Sequence, residues 1–269
     1  MLPAALPLAE EIAAWLSERT VDVWMCTPRR GAPEGFCAAD TDLVITLGGD
    51  GTILRSMPLT APLALPVFGI NLGRVGFLTE CAPEGWQQPL TRVLSGEGWI
   101  EERTMLYVTL VRAGDVIAED HALNDAVISR GGLARTIRLL AYVDGVPLTR
   151  YVADGLILAT ATGSTAYAYA VGGPILPPWL DNLLLAPAAP HLSFARPLVF
   201  SPDTIIEVEV RSEQPGMLTV DGRSEGELLH GDRVRIARSP LMARFLRLRQ
   251  PDDFYRTLVE RLTPHNGVQ

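Results

Sequence analysis

At 269 residues, 48% hydrophobic and 20% charged, the chain can bury one large core or two modest ones. A formal net charge of −8 excludes a broad basic face for nucleic acid or an anionic membrane, and every apolar run breaks at Pro, Gly or charge short of the ~20 residues that span a bilayer. All 23 basic residues are arginine. That excludes a Walker A lysine, a protein-kinase strand lysine and a Schiff base, and leaves any phosphate clamp to Arg, backbone amides, a helix N-terminus or a metal ion.

The opening MLPAALPLAEEIAAWL has no basic n-region and meets Glu10 and Glu11 early, so residues 5–19 read as an amphipathic helix and not as an export signal. Residues 21–26 read as a short strand, and residues 43–47 as a buried parallel strand feeding Gly48-Gly49. Helix at 52–59, strand at 66–70 and helix at 84–94 follow. This alternation predicts a Rossmann-like α/β domain with a parallel sheet over residues 1–98. From Trp99 onward, short alternating runs with turns at Asp144-Gly145, Asp154-Gly155 and Asp221-Gly222 predict a β-rich, sandwich-like domain over residues 99–249. The fold class is thus α/β plus all-β. Only residues 165–171 and the tail at 252–262 read as helical after that point, and residues 250–264 are expected to pack back on the α/β domain. Cys26, Cys37 and Cys81 are an odd set without a CxxC pair, which suits free thiols in a cytoplasmic protein, and the four histidines show no zinc-ligand spacing.

Three constellations carry chemistry. The strand LVITL runs into Gly48-Gly49-Asp50-Gly51-Thr52 and then a helix: the glycines let backbone approach a ligand, the opening amides point at an anion, and Asp50 is placed to take a proton from an attacking hydroxyl. An ordinary strand-to-helix turn capped by Asp has the same local sequence. The second is Asn124-Asp125 in HALNDAVISRG, an amide and a carboxylate in a strand-like segment, where neighbouring side chains face opposite sides. The third is Thr162-Gly163-Ser164-Thr165 after the strand that follows Asp154-Gly155, with hydroxyls and free amides at a helix start and Ala166 leaving room for a flat base.

Together, GGDGT at 48–52, NLGRVGFL at 71–78, NDAVISRG at 124–131, DGLILATATGSTAYAYAVGGPI at 154–175, PHLSFARPLV at 190–199 and VDGR at 220–223 resemble the NAD kinase family, in family order and over residues 5–263. The resemblance implies transfer of the terminal phosphoryl group of ATP, or of another donor such as polyphosphate, to the adenosine ribose 2′-hydroxyl of NAD. It also implies Mg²⁺ or another divalent cation bridging the donor phosphates. By the resemblance Asp50 is the general base, Gly51 and Arg55 lie against the phosphates, and Phe77 borders the adenine. Asn124 and Asp125 hold the adenosine ribose, Arg135 approaches the phosphates, and Thr165, Ala166 and Tyr167 line the adenine and ribose. Asp154 is expected to meet the nicotinamide half across a subunit interface of a homodimer or homotetramer, and Asp221 and Arg223 fall in the late binding loop.

The chain also departs from the pattern. Family members usually begin with a strand and an Asn-Pro turn before the first helix, so a start upstream of Met1 is expected. Ala161 stands where proline is common, and Ala170 where a serine often reaches the substrate. A GGDG turn alone is shared with lipid kinases and phosphofructokinases, whose acceptors need an apolar pocket or a sugar-phosphate clamp. A non-catalytic dinucleotide sensor is the remaining alternative, and Asp50 argues against it because a sensor has no use for a base.

Overall fold

The computed structural model describes residues 5–26, 38–73, 76–132, 136–191 and 194–262. Along the chain these form α1 (Ala5–Ser17), β1 (Val44–Leu47), α2 (Asp50–Thr60), β2 (Val67–Ile70), α3 (Gln87–Leu94) and β3 (Trp99–Arg112). Then come β4 (Asp115–Ala122), β5 (Asp125–Arg130), β6 (Ile137–Val143), β7 (Val146–Ala153), β8 (Gly155–Ala159), α4 (Tyr167–Ala170) and β9 (Leu183–Ala188). The last elements are β10 (Leu198–Phe200), β11 (Ile206–Val210), β12 (Gly216–Val220), β13 (Arg223–Leu228), β14 (Arg233–Arg247) and α5 (Asp253–Leu262). The chain divides into two compact units, Met1–Glu102 with Ala243–Gln269, and Arg103–Met242. Among the described residues no helix is long and apolar enough to cross a membrane.

In the first unit β1 and β2 pair in parallel, Val44 with Val67 through Leu47 with Ile70, and Phe245 at the end of β14 extends the parallel sheet beside Val67. All four residues of β2 are buried, which is why its sequence is continuously apolar instead of alternating. A core cluster gathers Ile12 and Leu16 of α1, Phe68 and Ile70 of β2, and Trp86 with Leu90 of α3, and Trp15 meets Trp86 edge-on at 5.3 Å.

Two local expectations are corrected here. Residues 21–26 form no regular element; Val21 and Val23 pack toward that core, yet the segment joins no ladder among the described residues. Alternation reports one buried face, whereas a ladder needs a neighbouring strand that the local pattern does not encode. The helix expected from residue 52 starts at Asp50, with extended Gly49 as its cap, so Asp50 is the first helical residue.

In the second unit, one sheet runs β4-β3-β14-β11-β6-β7 and the other β10-β9-β8-β5-β12-β13 among the described residues. Side chains of both sheets interdigitate in one core, including Leu106, Val108 and Leu139 from the first and Ile128, Leu156 and Leu185 from the second. On β8 the alternation is visible: Leu156 and Leu158 enter that core, while Ile157 and Ala159 turn to a smaller cluster with Ala168 of α4. The helix expected over residues 165–171 is broken. A 3-10 turn at Gly163–Thr165 is followed by a non-helical Ala166 (φ −102°, ψ −124°) and only then by the four-residue α4.

Candidate functional site

In the first unit the Gly-rich turn places Asp50 so that its carboxylate reaches across to the loop after β2. Oδ2 accepts the Phe77 N–H at 2.9 Å and Oδ1 the Leu78 N–H at 3.1 Å. Each oxygen keeps a second lone pair, so the carboxylate is oriented by backbone and still open to a further donor. The approach requires glycine at 76, where a Cβ would stand 1.9 Å from Oδ1 and 2.7 Å from Cγ of Asp50. Asn71 braces the start of this loop by a reciprocal pair with Gly73, and the Thr79 hydroxyl accepts the Gly76 N–H.

The far end of the loop is anchored by a buried charge cluster. Arg247, 4% exposed, donates to the Leu78 carbonyl at 2.8 Å and pairs with Glu80 at 3.2 Å and Glu101 at 2.7 Å. Glu80 Oε1 accepts the N–H groups of Leu248 and Arg249, both at 2.8 Å. Arg55 is exposed and extends past Gly51, its Nη1 3.6 Å from where a Cβ would stand there. The Phe77 ring is half-buried, 6.1 Å from the ring of Phe254 on α5, with the Arg261 guanidinium 5.2 Å from its centroid.

In the second unit Asn124 does not lie within a strand, as the sequence suggested. It occupies a bend where the chain leaves β4 in one sheet and enters β5 in the other. Asp125 opens β5, 7% exposed. The bend is held by two side chains from distant segments, Asp221 in the turn after β12 and Thr160 just past β8. The Asp221 carboxylate accepts the N–H groups of Leu123, Asn124 and Asp125 at 2.8, 2.8 and 3.1 Å. The Thr160 hydroxyl donates to the Leu123 carbonyl at 2.6 Å, and its N–H to the Asn124 carbonyl at 2.9 Å. Gly163 presses so closely that a Cβ would fall 2.0 Å from the Asn124 carbonyl oxygen. Burial, with the neighbouring Asp221 charge, pushes the Asp125 carboxyl up to about 7. Burial also raises Asp221, opposed by its three N–H donors and by Arg223.

The remaining expected residues are placed as follows. The Thr165 hydroxyl bonds back to the Thr162 carbonyl at 3.1 Å, Ala166 forms the break before α4, and Tyr167 is 48% exposed. Asp154 pairs with Arg130 at 3.0 Å. Arg223 pairs with Asp120 at 2.5 Å. Arg135 lies outside the described residues. Among the described residues, no three His, Cys, Asp or Glu side chains converge in a metal-holding group. Glu80, Arg247 and Thr160 were not legible as site residues. Their partners are 146 to 169 positions away for Arg247 and 37 for the Thr160 hydroxyl's donor contact, beyond the reach of any motif.

Residues 29–98 match the ATP-NAD kinase N-terminal domain and residues 123–248 the ATP-NAD kinase C-terminal domain. The chain is 40% identical over 259 residues to an NAD kinase of Chloroflexus aurantiacus, covering 96% of this chain and 94% of that one. It is 37% identical over 265 residues to an NAD kinase of Dehalococcoides mccartyi, covering 98% and 93%. Among solved structures it is similar to an Archaeoglobus fulgidus NAD kinase in complex with ATP, with a TM-score of 0.74, 30% identity and coverage of 94% and 93%. It is also similar to a yeast NADH kinase complexed with NADH, with a TM-score of 0.77, 30% identity and coverage of 87% and 71%. A chain of this fold and these relationships is a phosphotransferase. It belongs to the NAD kinase family.

Proposed function

We propose that the chain moves the terminal phosphoryl group of ATP to the 2′-hydroxyl of the adenosine ribose of NAD, with Asp50 as the general base. The observation that carries the assignment of the base is the Asp50 carboxylate, held at the first turn of α2 by two backbone N–H groups and retaining acceptor capacity. The ribose oxygen forms a bond to the terminal phosphorus as the bond from that phosphorus to its bridging oxygen breaks. The hydroxyl proton passes to Asp50 and then to solvent, and ADP leaves. The donor would carry Mg²⁺ or a similar divalent cation on its own phosphates, which would supply charge compensation there. Arg55 and Gly51 flank the phosphates, and Arg55 supplies charge that lysine supplies elsewhere.

Asn124 and Asp125 hold the acceptor ribose, while Phe77, Thr165, Ala166 and Tyr167 border the adenine. Arg135 and Arg223 belong to the same binding surface, and Asp154 meets the nicotinamide half contributed by a second subunit of a homodimer or homotetramer. The protein acts in the cytoplasm, in keeping with free Cys26 and Cys81. The test is a transfer assay with NAD, NADH, diacylglycerol and fructose 6-phosphate as acceptors and ATP, another triphosphate or polyphosphate with Mg²⁺ as donor, NADP being read by an NADP-specific dehydrogenase. Formation of NADP is expected. Its absence with every donor overturns the reading in favour of a dinucleotide sensor.

A further inference from the structure

We propose that Asp221 is a positioning residue, which together with Thr160 builds the bend that presents Asn124 and Asp125 to the acceptor nucleotide. This rests on the reading of that bend as the ribose site. Asp221 and Gly222 form a two-residue hairpin turn between β12 and β13, with φ of +47° and +74°. Both angles lie in the left-handed region that Asp, Asn and Gly tolerate, as this tight turn requires. The turn thereby aims a carboxylate at a bend more than ninety residues earlier in the chain.

Every backbone polar group of that bend is then accounted for. The N–H groups of residues 123, 124 and 125 all donate to Asp221. The carbonyl of Leu123 accepts from the Thr160 hydroxyl, that of Asn124 from the Thr160 N–H, and that of Asp125 from the Asp221 N–H. Two residues thus satisfy six groups, leaving the side chains of Asn124 and Asp125 as the bend's remaining polar equipment. Three converging donors demand a group that only accepts, and an ionised carboxylate is the side chain that meets them. An Asn at 221 is well suited to the turn itself, but its amide turns two donors toward donors. Asp221→Asn consequently separates the role of turn former from the role of clamp.

The experiment uses the full chain, thermal melting to confirm folding, and steady-state kinetics with NAD and Mg²⁺-ATP. Asp221→Asn is expected to raise KM for NAD at least about tenfold, with kcat within about threefold and KM for ATP unchanged, the signature of lost acceptor binding and not of lost chemistry. Asn124→Ala should raise the same KM, and the double variant should be little worse than Asn124→Ala alone, since both act through one bend. An Asp221→Asn enzyme with unchanged KM for NAD, beside an impaired Asn124→Ala, overturns the positioning role. So does a fall in kcat alone, which would place Asp221 at the reacting atoms. An Asn124→Ala enzyme with unchanged KM for NAD overturns the ribose reading itself, and the clamp with it. If Asp221→Asn does not fold, Thr160→Val removes the hydroxyl on the opposite side of the bend and leaves the turn intact. A raised KM for NAD then supports the clamp and an unchanged one overturns it.

Discussion

Arg247 and Asp50 grip one residue from opposite sides. The guanidinium of Arg247 donates to the Leu78 carbonyl at 2.8 Å, and the Leu78 N–H donates to Asp50 Oδ1 at 3.1 Å. The proposed base is therefore oriented through a residue whose carbonyl is locked to a buried ion pair, and disturbing either end should be felt at the carboxylate.

Asp50→Asn keeps the size of the side chain but no longer accepts a proton. Turnover should fall by at least about a hundredfold while KM for NAD changes little, because the lost interaction belongs to the transition state. Near wild-type turnover in the variant would make Asp50 a helix-start anchor only.

Gly76→Ala tests orientation without touching the carboxylate chemically. The added methyl would overlap Oδ1, 1.9 Å away, and must push the Asp50 side chain aside. A displacement of about an ångström at a reacting group costs about a hundredfold in rate, so kcat should drop by about ten- to a hundredfold. Circular dichroism should show the fold unchanged.

Arg247→Met would remove the buried guanidinium shared by Glu80 and Glu101, leaving Glu80, 7% exposed, with Arg249 at 3.4 Å as its remaining ion-pair partner. Breaking such a pair costs about 3–5 kcal/mol, so the melting temperature should fall by roughly 10 °C or more. Arg247→Lys retains the charge but not the fork that reaches Glu80, Glu101 and Leu78 together, and should lower kcat with little change in KM for NAD.

Arg55→Ala should raise KM for both phosphate-bearing substrates by about tenfold or more with the fold intact, the loss expected for a charge-assisted hydrogen bond. Its contact with the Thr52 hydroxyl is long, 3.4 Å, so the exposed guanidinium is not committed within its own helix. Unchanged values for ATP and NAD would leave Arg55 a solvated helix residue.

The carboxyl of Asp125 gives stability a pH dependence. Its folded value of about 7 lies above the ordinary carboxylate value of 3.8, so between the two the folded chain keeps a proton that the unfolded chain has released. Stability linked to this proton is complete below the unfolded value and is lost as pH rises through the folded one. Asp125→Asn has no such proton, so its melting temperature relative to wild type should be higher at about pH 8 than at about pH 5. The raised Asp221 acts in the same direction. A difference in melting temperature that does not move with pH would show Asp125 titrating normally.

What the sequence disclosed of this molecule is what lies close together along it. The GGDG turn was legible because strand, glycines, carboxylate and helix occupy adjacent positions, and even there the helix began at Asp50 instead of Thr52, since Gly49 serves as the cap. The break at Ala166 was hidden in a run of small residues with no periodic apolar signal. Residues 21–26 showed alternation without a ladder, because pairing is a property of two segments. The VDGR motif marked Asp221 but not its direction, which depends on a bend that is 96 to 98 positions away.

Those separations have a bearing on how the protein acquires its activity. The direct ties of Asp50 close loops of only 27 and 28 residues. The ties of Asp221 to the proposed acceptor bend close nearly a hundred, and wait for the β12–β13 hairpin to return to β5. Distant contacts carry a larger closure entropy and slow the steps that depend on them. A chain emerging from the ribosome can thus make the direct ties of the proposed base before the Asp221 clamp of the proposed acceptor bend, while the Arg247 anchor on Leu78 is delivered after both.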